Sequence, residues 1–145
     1  MSERVGRPGM LIDSHCHLDY LTAPPSGRAI ADILQSAAAA GVGRMLTVAV
    51  DRDNMTRVLA HAHAHPEVYA AIGIHPSTPE DASIDAETLL DLAADPRVIA
   101  IGETGLDYYH GADSVNLQRE RFVMQLRVAA RAGLPVIVHT RDARD

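Results

Sequence analysis

The chain has 145 residues, 47% of them hydrophobic, a formal net charge of −6 and one cysteine, Cys16. That size and apolar content suit one globular unit, and no apolar run is long enough to cross a membrane as a helix. The acidic balance excludes the broad positive field that nucleic-acid binders set against phosphates, so an acidic substrate would need a local attractor such as a bound divalent cation, while a single cysteine excludes an internal disulfide.

Residues 1–9 are polar and read as a disordered extension, with Met10 a candidate natural start. They lack the apolar segment and cleavage site of an export signal, so a cytoplasmic location is the expectation. A first strand is expected at Met10 to Ile12, and a helix follows in which Ile30, Ile33, Leu34 and Ala37 share a face, with Ser26 as its cap and Gly41 as its terminator. Met45 to Val50 is the second strand. Met55, Val58, Leu59 and Ala62 mark a second helix that opens at Asp51 or Asp53 and must finish before Pro66. Val68 to Ile74 is the third strand, and Ala86, Leu89, Leu90 and Ala93 mark a helix ending at Asp95-Pro96. The fourth strand, Val98 to Ile101, leads to a helix organised by Phe122, Val123, Leu126 and Ala130 and closed by Gly133. Leu134 to Val138, apolar on both faces, is the fifth strand.

Strict alternation of strand and helix implies parallel strands joined by crossovers, in a doubly wound open sheet or a (β/α) barrel. Five units in this length is roughly 29 residues each, close to the roughly 31 of an eight-unit barrel of about 250 residues. Residues 10–145 therefore read as the N-terminal part of a TIM-type (β/α) barrel, about five of its eight βα units.

His15 and His17 lie two apart at the end of the first strand, so in extended backbone both project to one face and could grip one metal ion. With eight histidines in the chain, an H-x-H also arises by chance. His61, His63 and His65 repeat that spacing inside a helical pattern, where alternate residues point apart, and are expected to face solvent. Glu103, between Gly102 and Gly105, follows the fourth strand; alone, such a segment would be a glycine-rich turn with an exposed carboxylate. His139 follows the fifth strand, and His75 follows the third, where turn hydrogen bonding is its simplest role. Cys16 should point away from the histidines, toward the helices, as a small buried hydrophobe. What distinguishes His15, His17, Glu103 and His139 is their convergence at strand C-terminal ends, where barrel active sites lie.

The segments LIDSHCHLD, GIHP, IGETGLDYY and PVIVHTRDA, in that order from Met10 onward, resemble the TatD family of metal-dependent deoxyribonucleases. The resemblance implies a TIM-type barrel holding two divalent ions of magnesium, manganese or zinc, with DNA as substrate. By the same resemblance His15 and His17 bind one ion, Glu103 bridges both as the catalytic ligand, and His139 binds the other. His75, Asp107, Tyr108 and Arg141 are carried over as substrate-contacting groups, Arg141 as the phosphate contact. Family members continue for three more strands, which supply a further histidine ligand and an aspartate acting as base, so the general base is expected outside this chain. The expected partners are then a separate C-terminal barrel half or a second copy, joined through open sheet edges. Two other readings stand beside this one: an amidohydrolase acting on another ester or amide, against which Glu103 argues where a carbamylated lysine is the bridge, and an inactive interaction subunit.

Overall fold

Five parallel strands pair in the sequential order β1-β2-β3-β4-β5: β1 (Leu11–Cys16), β2 (Val42–Val48), β3 (Val68–Ile72), β4 (Val98–Asp107) and β5 (Val136–Arg141). A doubly wound sheet reverses its strand order at a switch point, whereas unbroken sequential pairing is that of a (β/α) barrel, so the barrel expectation holds. This computed structural model describes residues 9–144, and the disordered extension expected over residues 1–9 lies outside them apart from Gly9. Among the described residues β1 pairs only with β2, and β5 only with β4.

The helices are α1 (Leu18–Thr22), α2 (Ile30–Ala39), α3 (Arg52–Ala64), α4 (Ala86–Ala93) and α5 (Val115–Ala132). Two caps follow from sequence: Asp51 accepts the Asn54 backbone N–H at 2.7 Å and Asp85 that of Thr88 at 2.9 Å, each contributing about 1 kcal/mol. The expected Ser26 cap is not formed; α2 begins after Ala29, in extended backbone. The short α1 had no signal in the periodicity, because five residues carry too little of a 3.6-residue pattern.

The apolar residues divide into two layers, by strand parity in β2 and β3 and across a register shift in β4. Met45, Val68, Ala70, Ile72, Val98 and Ile101 face the helices and pack with Leu34, Met55, Val58, Leu89 and Val128. Leu46, Val48, Ala71, Ala100 and Ile137 form a second cluster on the opposite face. Each fully buried aliphatic side chain in the first layer contributes about 1.5–3 kcal/mol, so this layer carries most of the fold's stability.

Three expectations are corrected. Strand β4 does not stop at Ile101 but continues to Asp107, which puts Glu103 within a strand rather than in a turn after it. Strand β5 starts two residues later than expected and runs through His139, with Val138 exposed because no second strand flanks this edge among the described residues. On α5 the expected apolar face is not the buried one: Val123 and Leu126 are 44% and 38% exposed, while Gln118, Arg121, Gln125, Val128 and Ala129 are buried. The strand ends and loops beneath α5 present backbone groups that need partners, and long polar side chains supply them.

Candidate metal centre

Glu103 lies at the middle of the site because two glycines let β4 bend against β5. Gly102 and Gly105 have φ of +146° and +143°, and the β4–β5 register shifts between Ile101 and Thr104. A Cβ on Gly102 would stand 2.6 Å from the Ile137 carbonyl oxygen, and one on Gly105 would overlap that of His139. Gly105 pairs directly with His139, which brings the β5 histidine alongside the β4 carboxylate. Glu103 itself is buried, and its backbone N–H donates to the Ala49 carbonyl at 3.0 Å.

The two oxygens of Glu103 face different histidines. Oε2 lies 3.3 Å from His15 Nε2 and 3.7 Å from His17 Nε2, and Oε1 lies 3.0 Å from His139 Nδ1. Hydrogen-bond partners orient the imidazole rings at three positions. His17 Nδ1 lies 3.0 Å from the Val48 carbonyl oxygen, which only accepts, so Nε2 keeps its lone pair toward Glu103. His139 stands between two carboxylates, Nε2 3.2 Å from Asp107 Oδ2 and Nδ1 3.0 Å from Glu103 Oε1; with Nε2–H given to Asp107, Nδ1 would offer its lone pair to a metal ion on the Glu103 side. His75 is the reverse case: its Nδ1 accepts from the Ser77 backbone N–H at 3.2 Å, so Nε2 carries the proton. Ligand atoms of His15, His17 and Glu103 lie within 4.8 Å of one another, as do those of His75, Glu103 and His139. The imidazole and carboxylate donors of His15, His17 and His139 around Glu103 fit divalent-metal binding; the His75 proton assignment makes that residue a hydrogen-bond donor rather than a ligand.

Asp107, carried over as a substrate contact, is placed differently. It is 1% exposed, and its oxygens are occupied: Oδ1 accepts the Tyr109 and His110 backbone N–H groups at 3.1 and 2.9 Å, and Oδ2 faces His110 Nδ1 at 2.9 Å and His139. Burial alone would raise its pKa, but the His110 backbone and ring together with His139 outweigh it and hold the carboxyl well below the usual carboxylate range. Asp107 thus orients His139, as carboxylates commonly do for metal-binding histidines. Tyr108 is also turned aside, its hydroxyl accepting from Arg119 Nε at 3.0 Å. Arg141 is exposed at the end of β5, with its guanidinium 4.2 Å from the Tyr109 ring centre. The His75 ring packs edge-on against His139 at 4.2 Å, and burial followed by that neighbour lowers its pKa, which favours neutral imidazole.

Cys16 faces the helix layer as expected, its Sγ donating to the Leu46 carbonyl at 3.4 Å, and burial followed by the Asp13 charge pushes its thiol up to about 12. Of the helical histidines, His63 pairs with Asp95 at 2.7 Å on the surface, while His61 and His65 are half-buried, and none joins the centre. Three contributors escaped the sequence reading. His110 has a weak signal in its position three residues after Asp107, whereas Gln118 and Gln125 carry none, being polar residues outside the apolar pattern of their helix. Gln118 holds the Asp107 backbone N–H and carbonyl at 2.7 and 2.9 Å, and Gln125 does the same for Ile74, next to His75, at 2.8 and 3.0 Å.

The family model for TatD-related DNases matches residues 12–145. The chain is 39% identical over 134 residues to the uncharacterized metal-dependent hydrolase YcfH of Escherichia coli, covering 92% of this chain and 50% of that protein. It is also 39% identical, over 140 residues, to the uncharacterized metal-dependent hydrolase TatD of Mycobacterium tuberculosis, covering 92% and 52%. Among solved structures, the TatD homologue YjjV of Escherichia coli superposes with a TM-score of 0.79 at 34% identity, covering 92% of this chain and 51% of that one. The chain spans about half the length of the curated relatives it matches.

Proposed function

This chain belongs to the TatD-related DNase family, and we propose that it contributes the first half of a two-metal active site that hydrolyses phosphodiester bonds of DNA. The observation that carries the reading is the division of Glu103: one oxygen toward His15 and His17, the other toward His139. Divalent ions of magnesium, manganese or zinc held there would activate water and offset the charge of the phosphodiester, so the acidic net charge is no obstacle. The protein's own contribution is placement. Val48 and Asp107 fix the rings of His17 and His139 with one lone pair each toward Glu103. His75 offers its Nε2–H to a phosphoryl oxygen, and Arg141, braced on Tyr109, lies at the same end of the strands to take a neighbouring phosphate. Strand edges β1 and β5 are where the remaining strands of a barrel, or a second copy, would add; sedimentation showing only monomer at every concentration would remove the second copy.

The test is cleavage of single-stranded DNA with magnesium, manganese or zinc, by the 145-residue chain and by a barrel completed with a relative's C-terminal half, with Glu103→Ala as control. Metal-dependent cleavage lost in the variant supports the reading. Absence of cleavage by both proteins with all three ions would overturn it.

A further inference from the structure

Next to the metal centre, on the side of β1 to β3, lies a pocket of about 410 Å³ bounded by His17, Tyr20, Val50, Asp51, His75 and Pro79. Its volume is in the range of small-molecule sites. Among the described residues neither lysine nor arginine lines it, while Asp51 and Glu103 do, so these residues do not attract a phosphate by themselves. Several of its polar groups are already engaged: Asp51 accepts the Asn54 backbone N–H, the Thr78 hydroxyl donates to the Val50 carbonyl at 2.9 Å, and Ser77 Oγ lies 2.7 Å from His75 Nδ1. Tyr20 is 52% exposed, yet its ring lies nearly parallel to that of His17, with centres 5.1 Å apart and planes 25° apart. An exposed aromatic ring backed by a fixed imidazole, facing the apolar Val50 and Pro79, suits a flat neutral heterocycle.

We propose that this pocket holds the nucleobase of the nucleotide adjoining the scissile phosphate, stacked on Tyr20. The proposal rests on the phosphodiester reading of the Glu103 centre. It assigns the two flanks of the site different tasks: Tyr20 and its pocket take a base, while Arg141 on the β5 side takes backbone charge. Because every base has a π-face, the stacking is tolerant of sequence.

The test uses short single-stranded DNA carrying 2-aminopurine, or an abasic nucleotide, at one position moved along the oligonucleotide, with the wild-type chain, Tyr20→Ala and Tyr20→Phe. Tyr20 is exposed, and circular dichroism checks that the variants fold. One position should show quenched 2-aminopurine fluorescence on binding to wild type and to Tyr20→Phe. Tyr20→Ala should lose the quenching and bind about tenfold or more weakly. An abasic nucleotide at that position should weaken wild type by a similar factor and leave Tyr20→Ala unchanged. DNA binding with no quenched position, or equal abasic losses in wild type and Tyr20→Ala, overturns the pocket assignment. Quenching without cleavage by any metal-loaded form would instead sink the hydrolase reading and leave the base pocket standing, and absence of DNA binding overturns both.

Discussion

His139 Nε2 stands 3.2 Å from Asp107 Oδ2, on the side of the ring opposite Glu103. The carboxylate thereby holds the imidazole plane and offers an acceptor to Nε2–H, and an amide in its place could present a donor there instead. Asp107→Asn is expected to weaken the binding of one manganese ion about 10–100-fold and leave the other, held by His15 and His17, nearly unchanged. Calorimetric titration with manganese resolves the two; equal affinities in wild type and variant would show that His139 needs no such partner.

The same carboxylate makes stability depend on acid. Its pKa in the folded chain is held well below the usual range, and the unfolded value is about 3.9. A carboxyl depressed in this way adds stability that is fully present above the unfolded pKa and is lost as pH falls through and below about 4 toward the folded value. Urea midpoints measured from pH 7 down to pH 2.5 should fall steeply below about pH 4 in wild type, and less steeply in Asp107→Asn. Parallel acid limbs would place the titrating group elsewhere.

Cys16 gives a contrasting case, a thiol that should be inert. With its pKa raised to about 12 by burial and its Sγ bonded to the Leu46 carbonyl, the thiolate is nearly absent at pH 8. Aromatic disulfide reagents should label it at least about tenfold more slowly in the folded chain than in urea. Equal rates would mean that β1 opens readily or that Cys16 does not face the helices.

The sequence made the alternation of β and α, the shared face of His15 and His17 and the outward Cys16 legible, since each follows from a short period in the residues themselves. Glu103 is legible as a group just past the fourth strand, but not as part of it, because flanking glycines interrupt the apolar run; here they let β4 pass close to β5, a constraint set by Ile137 and His139 more than thirty residues away. The ring orientations of His17 and His139 depend on Val48 and Asp107, equally remote in the chain. On α5, Val123 and Leu126 had the hydrophobicity of a core face, but the loops beneath it needed hydrogen bonds, and polar Gln118, Arg121 and Gln125 turned inward.

The close passage of the two strands is itself testable at Gly105. Its φ of +143° is costly for any side chain, and a Cβ would overlap the carbonyl of His139. Gly105→Ala should cost about 3 kcal/mol or more, lowering the melting temperature by roughly 10 °C, and should shift β5 and with it His139. Thermal melts read the first effect and manganese affinity the second. A variant as stable as wild type would show that β4 and β5 can separate without penalty.

Gln125 tests whether the inward polar stripe of α5 is structural glue or incidental burial. Its Oε1 accepts the Ile74 N–H at 2.8 Å, and its Nε2 donates to the Ile74 carbonyl at 3.0 Å and to Thr104 Oγ1 at 2.6 Å, so one side chain joins the residue before His75 to the residue after Glu103. Gln125→Leu keeps the volume but removes all three bonds, leaving buried groups without partners at about 1–3 kcal/mol each before relaxation. The expected loss is about 3 kcal/mol in urea denaturation, with metal affinity also reduced because Thr104, next to Glu103, loses its tie to Ile74. Gln125→Glu keeps an acceptor for the Ile74 N–H but sets a buried carboxylate against the Ile74 carbonyl, so at neutral pH it should be at least as destabilising as Gln125→Leu. If Gln125→Leu proves as stable as wild type, the strand ends find other partners, and α5 does not set the geometry of the centre.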